Sequence, residues 1–172
     1  MKNGLLLLLF ATTLARAEAS QSTNGLLDHL VGRWVLSGTL AGKKTTHDVS
    51  AEWVLNRGYV QLHEISQEKV TDGRPAYEAI IFISFDATSN GYSILWLDST
   101  ASSSFAPEDA GHAKSSKETP SAIPFVFKDS AGHVTFENTF MYDEKSNSWE
   151  WTLTNVKDDK KIPFGHVRLV KK

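Results

Sequence analysis

Two carboxylates and one histidine of this chain have positions that suggest a role in catalysis or ligand binding. Glu52 and Asp98 each fall on one face of a predicted strand, and Asp98 shares its face with Trp96. If those faces are interior, burial raises the carboxyl pKa, and the group becomes a general acid or a hydrogen-bonding anchor for a ligand. His63 is the candidate partner, although it and its neighbour Glu64 must point to opposite sides of their strand. The alternative for each carboxylate is a solvated outer face or a structural hydrogen bond.

Common catalytic and metal-binding motifs are absent from the sequence. It has no Gly-x-Ser-x-Gly, P-loop or dinucleotide fingerprint. It also has no cysteine, which excludes disulfides, thiolate nucleophiles and cysteine-based metal sites. The six histidines lack metal-ligand spacing, so a zinc site would have to assemble across strands. The formal net charge of −2 gives no indication of a nucleic-acid partner. We predict no cofactor.

The N-terminus has the pattern of a cleavable signal peptide. Lys2 precedes an apolar run that begins at Leu5, and the small-x-small sequence Ala15-Arg16-Ala17 follows it. We predict cleavage after Ala17 and a secreted or periplasmic protein, with no membrane span after cleavage. The alternative is an uncleaved anchor, but the apolar run is shorter than the ~20 residues that span a bilayer.

Alternating apolar and polar residues predict strands over nearly all of the remaining chain. Residues 18–31 form a polar leader and one short helix, and residues 32–172 form a single antiparallel up-and-down β-barrel of nine or ten strands. The predicted strands are Arg33–Leu40, Thr46–Leu55, Tyr59–Gln67, Ala76–Asp86, Tyr92–Ser99, Ile123–Lys128, His133–Tyr142, Trp149–Val156 and Phe164–Val170. The segment Ser99–Ser121 is predicted to be a long loop with short strands near Ser102–Ala106 and His112–Ser116. It could form a rim or lid of the barrel.

Three segments carry a resemblance to known barrels. Gly32-x-Trp34 at the start of the first strand resembles the opening of lipocalins and calycins. The segments 52–60 and 85–99 resemble an exported lipocalin-like family of unknown function. The resemblance implies a barrel with an internal cavity, and it implies that Arg168 of the last strand stacks on Trp34. That pair would be either the floor of a ligand cavity or a structural plug at one barrel end.

A more distant resemblance is to nitrobindin-type barrels, which bind haem through a histidine near the start of the final strand. His166 stands at a comparable place and would be the axial ligand. The chain departs from that family in its first strand, where only Gly38 remains of a glycine-rich motif.

The function that these observations favour is the binding of a small, mainly apolar molecule inside the barrel. The residues predicted to contact it are Trp34, Glu52, His63, Tyr77, Trp96, Asp98, Trp151 and Arg168. The alternatives are an enzyme that uses Glu52 or Asp98 as acid or base, haem binding through His166, and an interaction module with an exposed strand edge near Ser99–Ser121. The sequence makes no prediction of the oligomeric state.

Overall fold

The alternation of apolar and polar side chains determines the fold of the described chain, residues 25–100 and 105–172 of a computed structural model. One short helix precedes ten strands, which close into an antiparallel barrel. The elements are α1 (Gly25–Leu30), β1 (Gly32–Leu40), β2 (Lys43–Val54), β3 (Tyr59–Ser66), β4 (Glu78–Asp86), β5 (Gly91–Asp98), β6 (Ala110–Lys114), β7 (Ala122–Lys128), β8 (Val134–Asp143), β9 (Ser148–Lys157) and β10 (Lys160–Lys171). The predicted fold class, an antiparallel barrel of nine or ten strands after one short helix, is confirmed.

Each strand pairs with its neighbours in sequence, and β1 pairs with β10 to close the barrel. Two glycines allow this last pair to approach closely. A Cβ atom on Gly38 would lie 2.3 Å from the carbonyl oxygen of His166, and one on Gly165 would lie 2.4 Å from Cδ2 of Leu40. Any larger side chain at these two positions would therefore push the closing strands apart.

The segment Ser99–Ser121 is more regular than the sequence predicts. It contains a 3-10 turn at Pro107–Asp109 and then β6, which pairs with both β5 and β7. The exposed strand edge expected there is therefore absent from the described residues. Of the short strand predicted at Ser102–Ala106, the part within the described residues is not a strand. The predicted signal peptide lies outside the described residues, and within them no helix is long and apolar enough to cross a membrane.

Helix α1 closes one end of the barrel. Leu27 and Leu30 are fully buried, and indole N–H groups hold the carbonyls at the end of the helix. Trp34 Nε1 donates to the Leu30 carbonyl at 2.8 Å, and Trp149 Nε1 donates to the His29 carbonyl at 3.3 Å. A helix of six residues is not stable in isolation, and its last carbonyls need donors. The two tryptophans therefore hold the helix across this end of the barrel.

The cation that lies over Trp34 is Lys171 and not Arg168, which corrects the prediction. Lys171 Nζ is 5.1 Å from the centre of the Trp34 ring. In the β1–β10 register Trp34 is opposite Lys171, whereas Arg168 is opposite the exposed Ser37. Arg168 accordingly lies on the outer surface, where its Nη2 donates to Ser148 Oγ at 3.0 Å. The Trp34 pair therefore belongs to the closed end of the barrel.

Candidate functional site

The end of the barrel opposite α1 contains a cavity of about 770 Å³. Its mouth is formed by the β1–β2 turn at Ala41, by Ala76 before β4, and by Thr100, Glu108 and Asp109 between β5 and β6. The volume lies within the range of about 300–1,000 Å³ found for sites that bind small molecules. The long segment before β6 thus contributes to the rim of the cavity.

Aromatic rings form much of the cavity wall. The rings of Trp96 and Trp151 meet edge to face with centroids 6.1 Å apart, and Phe136 meets Phe164 in the same way at 6.0 Å. Behind the wall, Trp151 stacks on the fully buried Phe140 at 4.3 Å. These contacts hold the rings in fixed positions, so the apolar surface of the cavity is preformed.

A buried polar cluster interrupts this apolar wall. His47 on β2 and Glu64 on β3 both point inward, and each has only 2% of its surface exposed. His47 Nδ1 forms a hydrogen bond with Glu64 Oε1, and His47 Nε2 lies 2.6 Å from Thr45 Oγ1. Both ring nitrogens are engaged, so the imidazole is fixed in place.

Tyr77 joins this cluster to a second carboxylate. Its ring stacks on that of His47, with centroids 5.5 Å apart, and its hydroxyl accepts a hydrogen bond from Trp96 Nε1 at 3.0 Å. Burial, together with the negative charges of Glu64 and Asp98, raises the pKa of Tyr77 well above its ordinary value of 10.0. The phenol is therefore protonated at neutral pH, with the Asp98 carboxylate as a second acidic neighbour.

Two buried polar atoms of cavity-lining residues have no hydrogen-bond partner among the described residues. They are Glu64 Oε2, an acceptor, and Trp151 Nε1, a donor. Buried polar atoms in proteins are nearly always hydrogen-bonded, because an unpaired one costs about 1–3 kcal/mol. These two atoms are the unpaired buried polar groups of residues that line the cavity.

The cavity has an excess of negative charge. Among the described residues that line it, five have carboxylates and two have ammonium groups, a formal net charge of −3 with His47 neutral. The acidic residues are Glu64, Glu68, Asp98, Glu108 and Asp109, and the basic residues are Lys43 and Lys44. Both lysines are exposed at the β1–β2 turn, whereas Glu64 is deeply buried. The inner part of the cavity is therefore its more acidic part.

The structure brings together four of the eight predicted contact residues. Tyr77, Trp96, Asp98 and Trp151 all line the cavity. The other four lie elsewhere: Trp34 is buried beneath α1, and Glu52, His63 and Arg168 lie on the outer face of the barrel. His63 Nε2 lies 2.6 Å from Glu78 Oε1 in a partly exposed pair. The hypothesis that Glu52 is a buried carboxylate, with His63 as its partner inside the barrel, is therefore wrong.

His166 also lies outside the barrel. Its side chain is 63% exposed, and its Nε2 is 3.2 Å from Glu150 Oε2 on the neighbouring strand. Haem binding in the interior needs an inward imidazole with a nitrogen available to the iron. His166 does not point inward, and both nitrogens of the inward His47 are already hydrogen-bonded. The residues present do not fit haem. In the described part of the chain, no three histidines or acidic residues cluster as a metal site.

Sequence reasoning missed His47 and Glu64, the polar centre of the site. The signal was present, because His47 alternates in phase with the buried Val49 and Glu64 alternates in phase with the buried Leu62. A charged residue in phase with a core strand face is unusual and indicates a paired or functional group. The contact itself depends on the β2–β3 register, in which Glu64 lies opposite Val49, the next inward residue after His47.

The fold and the cavity together define a closed antiparallel β-barrel with a hollow, partly acidic interior at one end. No protein-family model matches the chain, and no curated protein matches it in sequence.

Proposed function

We propose that this barrel binds a small, mainly apolar molecule in its interior. The observation that carries the proposal is the cavity of about 770 Å³, whose wall includes aromatic rings that are held in place by their neighbours. An apolar molecule gains about 25 cal/mol for each Å² that it removes from water, without reordering a wall that is already in place. The buried His47–Glu64 pair in the cavity wall would orient the molecule.

The distribution of packing in the barrel supports this function. At the α1 end the interior is filled by Leu27, Leu30, Trp34 and Trp149, all fully buried. At the opposite end the interior widens into the cavity. A barrel with a purely structural core would be packed throughout, since a void removes the dispersion contacts of the side chains that line it.

Catalysis by Asp98 is the weaker alternative. The Asp98 carboxylate accepts hydrogen bonds from the backbone N–H of Thr100 at 2.7 Å and from its hydroxyl at 2.6 Å. Both bonds are to the same oxygen, and they hold the carboxylate in one orientation at the end of its strand. Its position supports a role in shaping the cavity.

The leader sequence supports a place of action outside the cytoplasm. We infer that the mature protein begins at Glu18, after the Ala-Arg-Ala site. Intact-mass measurement of the protein from its native compartment tests this: the chain should be shorter by the mass of residues 1–17. A full-length mass would contradict cleavage.

Binding can be tested with a fluorescent apolar probe, N-phenyl-1-naphthylamine, and with one pair of variants. Leu153 lines the cavity, and its neighbour Thr152 is exposed on the outer face of β9. Leu153→Trp should fill the cavity and weaken probe binding by about tenfold or more, equivalent to about 1.4 kcal/mol. Thr152→Trp should bind the probe as the wild type does, and circular dichroism should show that both variants are folded. Equal binding by a folded Leu153→Trp protein would contradict an interior site.

A further inference from the structure

We propose that the ligand is an organic ammonium ion with an apolar body, whose positive head group binds to Glu64. This inference rests on the proposed interior binding site and specifies its ligand class. The head group would sit between Glu64 and the Tyr77–Asp98 pair, and the apolar body would lie along Trp96 and Trp151.

The unpartnered oxygen of Glu64 is the first observation behind this proposal. The residue lines the cavity with only 2% of its surface exposed. One carboxylate oxygen is bonded to His47 Nδ1, and the other, Oε2, accepts no hydrogen bond from any described residue. A buried carboxylate oxygen requires a donor. An ammonium group has three N–H donors and no acceptor. It can therefore donate to Oε2 and needs no donor in return.

The charge around this oxygen is the second observation. The carboxylates that act on the buried Tyr77 hydroxyl are Glu64 and Asp98, and His47, which stacks on Tyr77 and bonds to Glu64, is the basic group beside them. A cation between them would be attracted by two carboxylates, whereas an anionic head group would be repelled by both. Lys43 and Lys44 are exposed at the mouth of the cavity, where water screens their charges.

The rings beside the cluster are the third observation. Tyr77, Trp96 and Trp151 all line the cavity. A cation within about 6 Å of such a ring face is attracted by its quadrupole, and this attraction is stronger where water is excluded. Carboxylates and aromatic faces together therefore favour a positive head group over a neutral one of the same size.

Three ligands that differ only in their head group test this inference: octylammonium, 1-octanol and octanoate. Each competes with N-phenyl-1-naphthylamine at neutral pH, where an alkylamine remains protonated because its pKa is about 10.4. We expect octylammonium to bind at least about tenfold more tightly than octanol, and octanoate to bind most weakly, as charge-assisted hydrogen bonds predict. Octanol binding at least as tight as octylammonium would overturn the inference.

Substitution of Glu64 assigns the preference to its carboxylate. Glu64→Gln keeps the shape of the side chain and an oxygen to accept from His47, but it removes the charge. It should lower the ratio of octylammonium to octanol affinity by about tenfold. Glu78→Gln, on the outer surface beside His63, is the matched control and should keep the wild-type ratio. An unchanged ratio of octylammonium to octanol affinity in Glu64→Gln would overturn the role of Glu64. If that variant does not fold, the same ratio measured for the wild-type protein still tests the ligand class.

The outcomes separate this inference from the proposed function. Octanol binding equal to or tighter than octylammonium, with displacement of the probe, would refute the ammonium head group and leave the interior site intact. If neither the probe nor any of the three ligands binds to the folded wild-type protein, both the interior site and the ligand class are refuted.

Discussion

The prediction that tests the packing of this barrel most directly concerns Asn138 on β8. Its side chain is fully buried, and neither its amide oxygen nor its amide nitrogen has a hydrogen-bond partner among the described residues. Its cross-strand neighbours are the buried apolar residues Phe125 and Leu153. An amide in such surroundings has lost its water without gaining protein partners, which destabilises the folded state.

Asn138→Val should therefore stabilise the protein. Removal of the unpaired amide relieves a desolvation cost of about 1–3 kcal/mol, and a β-branched residue also suits a buried strand. The different shape of the branched valine side chain offsets some of this gain. We expect a net increase of about 2 kcal/mol in the free energy of unfolding, which corresponds to a rise in Tm of about 4–8 °C for a domain of this size.

Urea unfolding and differential scanning calorimetry measure this change, and Ser148→Ala is the matched control. Ser148 is also buried, but its hydroxyl accepts hydrogen bonds from Arg168. Its removal should lower the free energy of unfolding by about 0.5–1.5 kcal/mol, the opposite sign to Asn138→Val. A destabilised Asn138→Val protein would refute the reasoning, because it would show that ordered water satisfies the amide.

Three further predictions follow from single contacts. Tyr77 ionises at its ordinary pKa of 10.0 in the unfolded chain and only at higher pH in the folded protein. Its contribution to the free energy of unfolding should therefore be fully present below pH 10 and be lost as the pH rises above 10. Tyr77→Phe should show a smaller alkaline loss in urea unfolding at a series of pH values, and an identical loss would contradict the raised pKa. Gly38→Ala should lower the free energy of unfolding by about 1–3 kcal/mol because its Cβ would collide with the backbone of β10, while Gly25→Ala, with open space around it, should change it by less than about 0.5 kcal/mol. Lys171→Met should cost about 0.5–1 kcal/mol through loss of the cation–π contact with Trp34, and no change would show that this contact contributes nothing.

Much of the fold follows from the sequence because it depends on local pattern. Side chains in a strand alternate between two faces, so the phase of the apolar residues shows which side of each strand is buried. This reasoning put Trp96 and Asp98 on one face of their strand, and both line the cavity. It left open which face of each strand is interior, and Glu52, a candidate on the same footing as Asp98, lies on the outer surface. Strand β6, Ala110–Lys114, was harder to predict because it has few large apolar residues whose alternation would show which face is buried.

The sequence by itself determined the fold class and the single short helix. Only the tertiary structure decided which inward residues meet. The β2–β3 register joins His47 to Glu64, and the β1–β10 register places Lys171 rather than Arg168 over Trp34. Alternation assigns a residue to a face, whereas the distance between residues on different strands depends on how far the strands slide past each other and on where the barrel closes. The size and the charge of the cavity are set by those same long-range pairings.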